Sequence, residues 1–264
     1  MKKYLNRPFH SPDFEIATND SYFIDLLRLK YGRYLTDNAI DNAYKIILTK
    51  KSVNDYLFEY PNGKINTNTP LYDIDRIFLN ITVYDNSILP LHGAAVERNG
   101  FVYIFLAPTA TGKTTLVTYL INNGLGYVSE DCILLEKQNF TVYPYDCPIH
   151  LRMGGHEVLK EYKIDIDVDI FDDPAGLRYV YTPDNSIKKQ LPLGGIYFIE
   201  RSETENYIVN MKSSESIIEL MKSAMTPQQP SGEYVRLISR LSKIGCKRII
   251  YRDMEYVRDI ISGE

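Results

Sequence analysis

Residues 101–116, FVYIFLAPTATGKTTL, decide the fold class of this chain. Their apolar start, Phe101 to Leu106, predicts a β-strand, and a helical pattern begins at Lys113. The loop between them consists mainly of small residues and leads into Gly-Lys-Thr. A strand, a small-residue loop and a helix in this order are typical of a phosphate-binding loop, in which backbone N–H groups and the helix start point at an anion. The stretch therefore predicts an α/β fold that binds a nucleoside triphosphate.

Individual residues of the loop predict individual contacts. Lys113 can reach the outer phosphates, and the hydroxyl of Thr114 can ligate Mg²⁺. Gly112 stands where backbone approaches phosphate most closely, whereas Ala107 occupies the opening position that is usually Gly. Because Ala disfavours positive φ, the strand-to-loop turn must be made with an ordinary backbone there, or Pro108 must fix it. The alternative is a strand–turn–helix unit with a chance Gly-Lys-Thr. The predicted nucleotide-binding residues are Thr109, Ala110, Thr111, Gly112, Lys113, Thr114 and Thr115.

Length and composition restrict the class of protein. The chain has 264 residues, 44% hydrophobic and 24% charged, which is typical of a soluble protein with one large domain or two small ones. A net charge of −4 gives no basic excess for binding nucleic acid or a membrane surface. We expect neither a membrane span nor a secretion signal, because no long apolar run is present. Three cysteines without metal-ligand spacing favour reduced thiols and a cytoplasmic location.

We expect the chain to divide into residues 1–88 and residues 89–264. The first part is predicted to be a small α+β module with helices near 21–35 and 70–84 and strands at 44–48 and 56–60. The second part is predicted to contain strands at 94–97, 101–106, 127–135, 140–143, 196–199 and 248–251 and helices near 113–121, 215–224, 232–241 and the C-terminus. Carboxylates interrupt the 127–135 run at its middle. The acidic stretch 165–173 is expected to form an irregular, mobile loop.

Two short motifs flank the loop and narrow its chemistry. His92-Gly93 precedes the loop on a strand expected to pair with the loop strand, and Glu130-Asp131 follows it after one helix. Phosphoryl transfer needs a metal ligand beside the phosphates and a group that orients or deprotonates the acceptor hydroxyl. Two adjacent carboxylates at a strand end can serve both roles.

The span from His92 to Leu135 resembles the catalytic domain of HPr kinase/phosphorylase. That family has a His-Gly before a hairpin, a Gly-x-x-Gly-x-Gly-Lys-Ser/Thr loop, a helix that ends near Gly, and an Asp-Asp pair. The span also resembles phosphoenolpyruvate carboxykinase, whose loop runs into Gly-Lys-Thr-Thr-Leu as Gly112 to Leu116 do here. The chain is more similar to the HPr-kinase-like proteins of modified-peptide pathways, including kinases of lasso-peptide precursors, than to HPr kinases with their Asn- and Met-rich C-terminal signature.

The resemblance implies a P-loop kinase core with a mixed, strongly twisted sheet, and ATP and Mg²⁺ as cofactors. It implies that Lys113 and the loop amides hold the β-phosphate, while Thr114 and Asp131 ligate Mg²⁺. Glu130 stands in the place of the first Asp, the general base toward a serine hydroxyl, and His92 supports the carboxylate pair. Because Glu130 is one methylene longer than Asp, the resemblance leaves open which carboxylate is the base.

Plainer roles are open for the same residues. His92 also suits a hydrogen-bonded core histidine, and Glu130-Asp131 also suits a strand end at the surface. Arg152 and Arg178 can clamp a phosphate or the acceptor, and they suit surface or ion-paired positions equally well.

Three functions follow from these residues. The leading one is an ATP-dependent kinase, a phosphotransferase that acts on a serine or threonine hydroxyl of a peptide or small protein, such as a ribosomally made peptide precursor. The alternatives are a kinase of a small-metabolite hydroxyl and a nucleotide-binding regulator without turnover. The presence of Lys113, Thr114 and Asp131 argues against the regulator. Residues 1–88 are expected to dock the acceptor, and homo-oligomerisation is left open.

Overall fold

The computed structural model describes residues 1–6, 12–82, 87–173, 176–225 and 231–263. The chain forms two compact units, Met1–Asp85 and Asn86–Glu264. A boundary after residue 88, as predicted, would cut the strand β7, Ile88–Leu91, whose pairing partner lies in the second unit. Within the described ranges, no helix is both long enough and apolar enough to cross a membrane.

The first unit is a six-stranded sheet with two helices. Its strands are β1 Lys2–Leu5, β2 Phe14–Thr18, β3 Leu35–Thr36, β4 Tyr44–Ser52, β5 Asp55–Tyr60 and β6 Gly63–Thr67, and its helices are α1 Ser21–Tyr31 and α2 Pro70–Thr82. The order β3-β1-β2-β4-β5-β6 makes β6 the last strand on one side. Aromatic residues of strand and helix meet in the core, where the rings of Phe14 and Phe78 lie 4.3 Å apart. The predicted end of α2 near residue 84 lies outside the described residues.

The second unit has many more elements. After β7, its described strands are β8 Ala94–Arg98, β9 Phe101–Leu106, β10 Gly126–Ser129, β11 Ile133–Glu136, β12 Thr141–Tyr143, β13 Ile149–Arg152, β14 Val168–Asp173, β15 Gly176–Tyr181, β16 Leu191–Arg201, β17 Tyr207–Asn210 and β18 Cys246–Tyr251. Its described helices are α3 Lys113–Asn122, α4 Met153–Glu161, α5 Ser213–Ser223, α6 Gly232–Ser242 and α7 Met254–Gly263.

The main sheet of the second unit contains nine strands and is mixed. Along its path the order is β10-β8-β9-β16-β12-β11-β7, with β18 beside β16 and β17 beside β18. The strands β9, β16 and β18 run parallel, whereas β8, β10, β12 and β17 are antiparallel to their neighbours. A separate sheet has the order β13-β15-β14. The predicted α/β class with a mixed sheet is confirmed.

Helices cover both faces of the main sheet. Side chains of successive strand residues point to opposite faces, so one strand contacts helices on both sides. On one face, Tyr197 and Ile199 pack in the same cluster as apolar residues of α3, α4 and α7. On the other face, Ile196 and Phe198 pack with residues of α5 and α6. The carboxyl ends of β9, β16 and β18 therefore meet at one edge of the sheet, and α3 begins at that edge on the first of these faces.

The run Tyr127 to Leu135, predicted to be strand-like with carboxylates interrupting its middle, is broken there into two strands. β10 pairs with β8, whereas β11 pairs with β7 and β12. Residues 130–132 link the two, much as residues 92–93 link β7 to β8. Glu130 and Asp131 therefore lie in this link and not inside either strand.

The acidic stretch, predicted as an irregular loop, is partly a strand. β14 covers residues 168–173 and pairs with β15. Asp165, Asp167 and Asp169 line a cavity of about 400 Å³ together with Asn122, the last residue of α3. Because α3 rises roughly 1.5 Å per residue, this cavity lies roughly 14 Å from Lys113 along the helix. The acidic stretch is therefore at the end of α3 that is remote from the phosphate-binding loop.

Candidate active site

The predicted phosphate-binding loop, residues 107–112, is the connection between β9 and α3. The predicted strand and helix on either side of it are confirmed, since β9 ends at Leu106 and α3 begins at Lys113. Ala110 has φ of 67° and Gly112 has φ of 90°. Gly adopts this left-handed conformation readily, whereas a residue with a Cβ loses roughly 1–2 kcal/mol. The backbone strain of the loop therefore falls at Ala110, whereas Ala107 does not have a positive φ, in agreement with the ordinary backbone expected there.

The remaining predicted nucleotide-binding residues surround this turn. Thr109 and Ala110 are exposed, and Thr111 and Thr115 are half-buried. The hydroxyl of Thr111 donates a 2.7 Å hydrogen bond to the carbonyl of Pro108. This bond closes the loop on itself and reduces its freedom.

Lys113 lies under the loop and is only 7% exposed. Its Nζ donates hydrogen bonds of 2.7 Å to the carbonyl of Ala107 and 3.0 Å to the carbonyl of Pro108. Burial lowers the pKa of Lys113 from its ordinary value, and the nearby charges of Asp131 and Glu130 oppose this shift. The ammonium is therefore held close to both the loop backbone and the carboxylate pair.

Thr114 and Glu130 are joined directly. The Thr114 hydroxyl donates a 2.6 Å hydrogen bond to Glu130 Oε1. Glu130 is 7% exposed and lies just beyond the end of β10. The contact places a buried carboxylate at the first turn of α3, beside the residue predicted to ligate Mg²⁺.

Asp131 occupies a tight turn. Its φ is 64°, and the N–H of Cys132 donates a 2.9 Å hydrogen bond to the carbonyl of Glu130. This three-residue turn with positive φ is a rare and strained γ-turn. Across this turn the side chains of Glu130 and Asp131 point in different directions, so Glu130 is buried whereas Asp131 is exposed. The two carboxylates therefore present different environments to a ligand.

His92, in the connection between β7 and β8, contacts the same turn. Its Nδ1 lies 3.1 Å from the carbonyl oxygen of Asp131. The pairs Leu91–Ile133 and Ala95–Ser129 share one antiparallel register, so residues 92–94 run alongside residues 130–132. Nε2 of His92 is buried and has no hydrogen-bond partner within the described residues. A protonated Nδ1 donating to Asp131 would leave this Nε2 as an acceptor.

Gly93 is required beside His92 by close packing. A Cβ at this position would lie 2.6 Å from Leu106 Cδ2 and 2.9 Å from the carbonyl oxygen of Phe105. The link from β7 to β8 therefore passes directly against the strand that leads into the phosphate-binding loop. The His-Gly motif couples the histidine to the loop strand through this contact.

Two contacts to the loop helix were not predicted from the sequence. An ideal Cβ at Gly112 would lie 3.7 Å from the hydroxyl oxygen of Tyr251, and one at Gly155 would lie 2.6 Å from Thr115 Oγ1. Tyr251 ends β18 and Gly155 lies in α4. The Gly-Gly pair at the start of α4 was a signal for close helix packing, whereas the sequence held no signal for Tyr251.

Arg152 and Arg178 are neighbours in the separate three-stranded sheet. They stand opposite each other on β13 and β15. Arg152 is exposed and Arg178 is half-buried. Both arginines therefore belong to a sheet other than the one that contains the strand before the loop.

The donor set fits Mg²⁺ better than it fits a metal that needs a full protein cage. Among the described residues, no group of three or more His, Cys, Asp or Glu side chains could hold a metal ion. Mg²⁺ commonly binds through one or two protein oxygens, with waters and phosphate oxygens completing its shell. The adjacent oxygens of Thr114 and Glu130 are suited to that arrangement, with Asp131 as the neighbouring carboxylate.

Comparisons with known proteins give little further identification. No protein-family model matches the sequence, and no curated protein matches it. Among solved structures, the HPr(Ser) kinase/phosphatase of Coxiella burnetii aligns over 66% of this chain and 91% of its own, with 11% sequence identity and a TM-score of 0.32. A likeness at this level carries no argument about function, so the candidate site rests on its own geometry.

Proposed function

We propose that this protein is an ATP-dependent kinase that phosphorylates a serine or threonine hydroxyl of a peptide or small protein. The observation that carries the proposal is the contact between Thr114 and Glu130. A phosphate-binding loop alone is compatible with many activities. A loop joined to a carboxylate pair offers both a metal-binding position and a base, the two groups that transfer to a hydroxyl requires.

The loop and Lys113 hold the phosphates of the nucleotide. In the ligand-free geometry, Lys113 Nζ contacts the carbonyls of Ala107 and Pro108. An outer phosphate placed on the loop would offer this buried ammonium a charged acceptor in place of neutral carbonyls. Charge-assisted bonds are roughly twice as strong as neutral ones, which favours the exchange.

The environments of the two carboxylates support distinct roles. Glu130 is buried and bonded to Thr114, so we assign Thr114 and Glu130 to Mg²⁺, which when bound would neutralise charge on the phosphates. Asp131 is exposed, so we assign it as the base that meets the acceptor. This is the reverse of the assignment that the family resemblance implies, in which Asp131 binds Mg²⁺ and Glu130 is the base.

The proposed transfer is a single displacement. Asp131 accepts the proton of the acceptor hydroxyl as its oxygen forms a bond to the γ-phosphorus. The bond between that phosphorus and the β–γ bridging oxygen breaks, and ADP leaves. His92, through its contact with the carbonyl of Asp131, positions the strained turn that carries the base.

A peptide acceptor is supported by the first unit. That unit has its own sheet and core, and β6 is the last strand on one side of the sheet. An extended peptide can add to such an edge through main-chain hydrogen bonds. The net charge of −4 favours a neutral or basic acceptor over an acidic one. The position of the acidic stretch at the far end of α3 gives it no direct part in this preference.

The test is incubation of the full chain with γ-labelled ATP and Mg²⁺, together with a panel of serine-containing peptides and small metabolites. We expect label on a peptide serine or threonine, located by mass spectrometry. Label on a metabolite and on no peptide would make the protein a small-molecule kinase. ATP binding without any transfer across a wide panel would favour the nucleotide-binding regulator.

A second experiment tests the docking role of the first unit. A fragment that starts at residue 86 should bind ATP with the affinity of the full chain but lose transfer to peptide. Circular dichroism and a cooperative melting transition must first establish that the fragment is folded. Full peptide activity in a folded fragment would contradict the docking role.

A further inference from the structure

The protein charges around the phosphate-binding loop do not balance a triphosphate. Lys113 supplies one positive charge, whereas Glu130 and Asp131 supply two negative charges. A nucleoside triphosphate remains negatively charged after one Mg²⁺ has bound. A site of this kind calls for a further cation near the loop.

Arg201 lies at the sheet edge where that cation is needed. β16 runs parallel to β9, and Phe198 is level with Leu106, the last residue before the loop. Arg201 is three residues farther on, roughly 10 Å beyond that level. In open α/β sheets, ligands bind outside the carboxyl ends of parallel strands, which is where Arg201 stands.

The side chain of Arg201 is on the face of the sheet that carries the loop helix. Tyr197 and Ile199 pack in the cluster that contains residues of α3. Since strand side chains alternate, Arg201 shares their face. It is exposed, and in the described ranges it forms no ion pair with a carboxylate. Its charge is therefore available to a ligand.

Tyr251 connects Arg201 to the loop. The two residues are directly paired across β16 and β18. The hydroxyl of Tyr251 faces Gly112, and the positive charge of Arg201 is close enough to lower the pKa that burial raises in this phenol. The strand ends are also tied together, because Ser202 N–H donates a 2.8 Å hydrogen bond to the carbonyl of Tyr251. The backbone that carries Arg201 is thus held beside the loop by its pairing with β18.

We propose that Arg201 binds a phosphate oxygen of the bound nucleotide, from the side of the loop opposite Glu130. β10 and β16 lie on opposite sides of β9, so the carboxylate pair and Arg201 approach the phosphates from two directions. The planar guanidinium can donate two parallel hydrogen bonds to a phosphate. This inference rests on the proposed nucleotide-binding function and adds a residue to it.

The test compares ATP, ADP and adenosine binding by calorimetry in the full chain and its variants. Arg201→Ala should weaken ATP and ADP binding about tenfold, in line with the loss of one charge-assisted contact, and leave adenosine binding unchanged. Arg201→Lys should retain part of the affinity. The matched control is Arg252→Ala, which removes an exposed arginine at the same edge, next in the chain to Tyr251.

The outcomes separate this inference from the proposed function. If wild type binds ATP and Lys113→Ala does not, but Arg201→Ala binds like Arg252→Ala, the role of Arg201 is wrong and nucleotide binding stands. Equal losses of ATP and adenosine affinity would also overturn it, since they would place Arg201 beside the adenosine part of the nucleotide and not beside its phosphates. If wild type binds no ATP, both proposals fail. Should Arg201→Ala lose its cooperative melting transition, Arg201→Gln replaces it, with the same expected losses.

Discussion

The Thr114 hydroxyl donates a 2.6 Å hydrogen bond to Glu130 Oε1 across 16 residues of chain. The bond joins the first turn of α3 to the residue after β10, two positions that are brought together by the tertiary structure and not by closeness in the chain. A hydrogen bond to a charged acceptor contributes roughly 1.5–3 kcal/mol, so it also stabilises the loop helix against the sheet. The same two oxygens are suited to binding Mg²⁺. Metal binding would therefore replace the hydrogen bond between Thr114 and Glu130 by two bonds from these residues to the metal ion.

The first prediction separates the two carboxylates. Glu130→Gln should raise the Mg²⁺ concentration needed for ATP binding roughly tenfold, because an amide is a weaker metal ligand. Asp131→Asn should leave ATP affinity near wild type and lower the transfer rate roughly 10²–10⁴-fold, the usual contribution of a general base. Calorimetry with varied Mg²⁺ and single-turnover kinetics measure the two effects. The opposite pattern would restore Glu130 as the base, and two variants with wild-type behaviour would reject the site.

The second prediction concerns Lys113. Lys113→Ala removes a charge-assisted phosphate contact of roughly 1.5–3 kcal/mol, so ATP affinity should drop tenfold or more. Calorimetry on the folded variant measures it. Lys160→Ala, which removes an exposed lysine of α4, is the matched control and should bind like wild type. Unchanged affinity in Lys113→Ala would show that the loop is not a phosphate site.

The third prediction tests close packing at Gly93. Gly93→Ala should lower the free energy of unfolding by roughly 1–3 kcal/mol, since the added methyl meets Leu106 and the carbonyl of Phe105. Gly154→Ala is the control, because a Cβ there meets nothing within 4 Å, and the change should be neutral or slightly stabilising. Urea denaturation measures both. Equal stabilities of the two variants would contradict the tight link beside β9.

The fourth prediction is a pH dependence that originates in Tyr251. Burial raises the pKa of this phenol from 10.0 to about 12. Between these values the unfolded chain has lost the phenolic proton while the folded chain keeps it. The free energy of unfolding should therefore fall as pH rises from 10 to 12, by at most about 3 kcal/mol, and be unaffected by this group below pH 10.

The comparison with Tyr251→Phe isolates this effect from the other tyrosines. Urea denaturation at about pH 9 and about pH 11.5 should show wild type losing more stability than the variant between the two conditions. Parallel losses would mean that Tyr251 is not buried beside the loop.

Much of the local structure could be predicted, and much of the site could not. The strand before the loop and the helix after it were predicted at the observed ends, because apolar spacing and Gly-Lys-Thr act within a few residues. In the run Tyr127 to Leu135 the carboxylates marked the interruption, but the apolar residues on either side did not show that each half pairs with different strands. The γ-turn at Asp131 divides it, and no turn residue such as Gly or Pro announced that turn.

The sequence by itself determined the α/β class and the strand–loop–helix unit of β9 and α3, and it predicted phosphate binding by that loop and site roles for His92, Glu130 and Asp131. These features depend on residue types at short spacing. Only the tertiary structure decided that Glu130 and not Asp131 bonds to Thr114, and that Tyr251 and Arg201 stand at the loop's edge. Strand order and register bring these residues together, and both are set by contacts between segments that are distant in the chain.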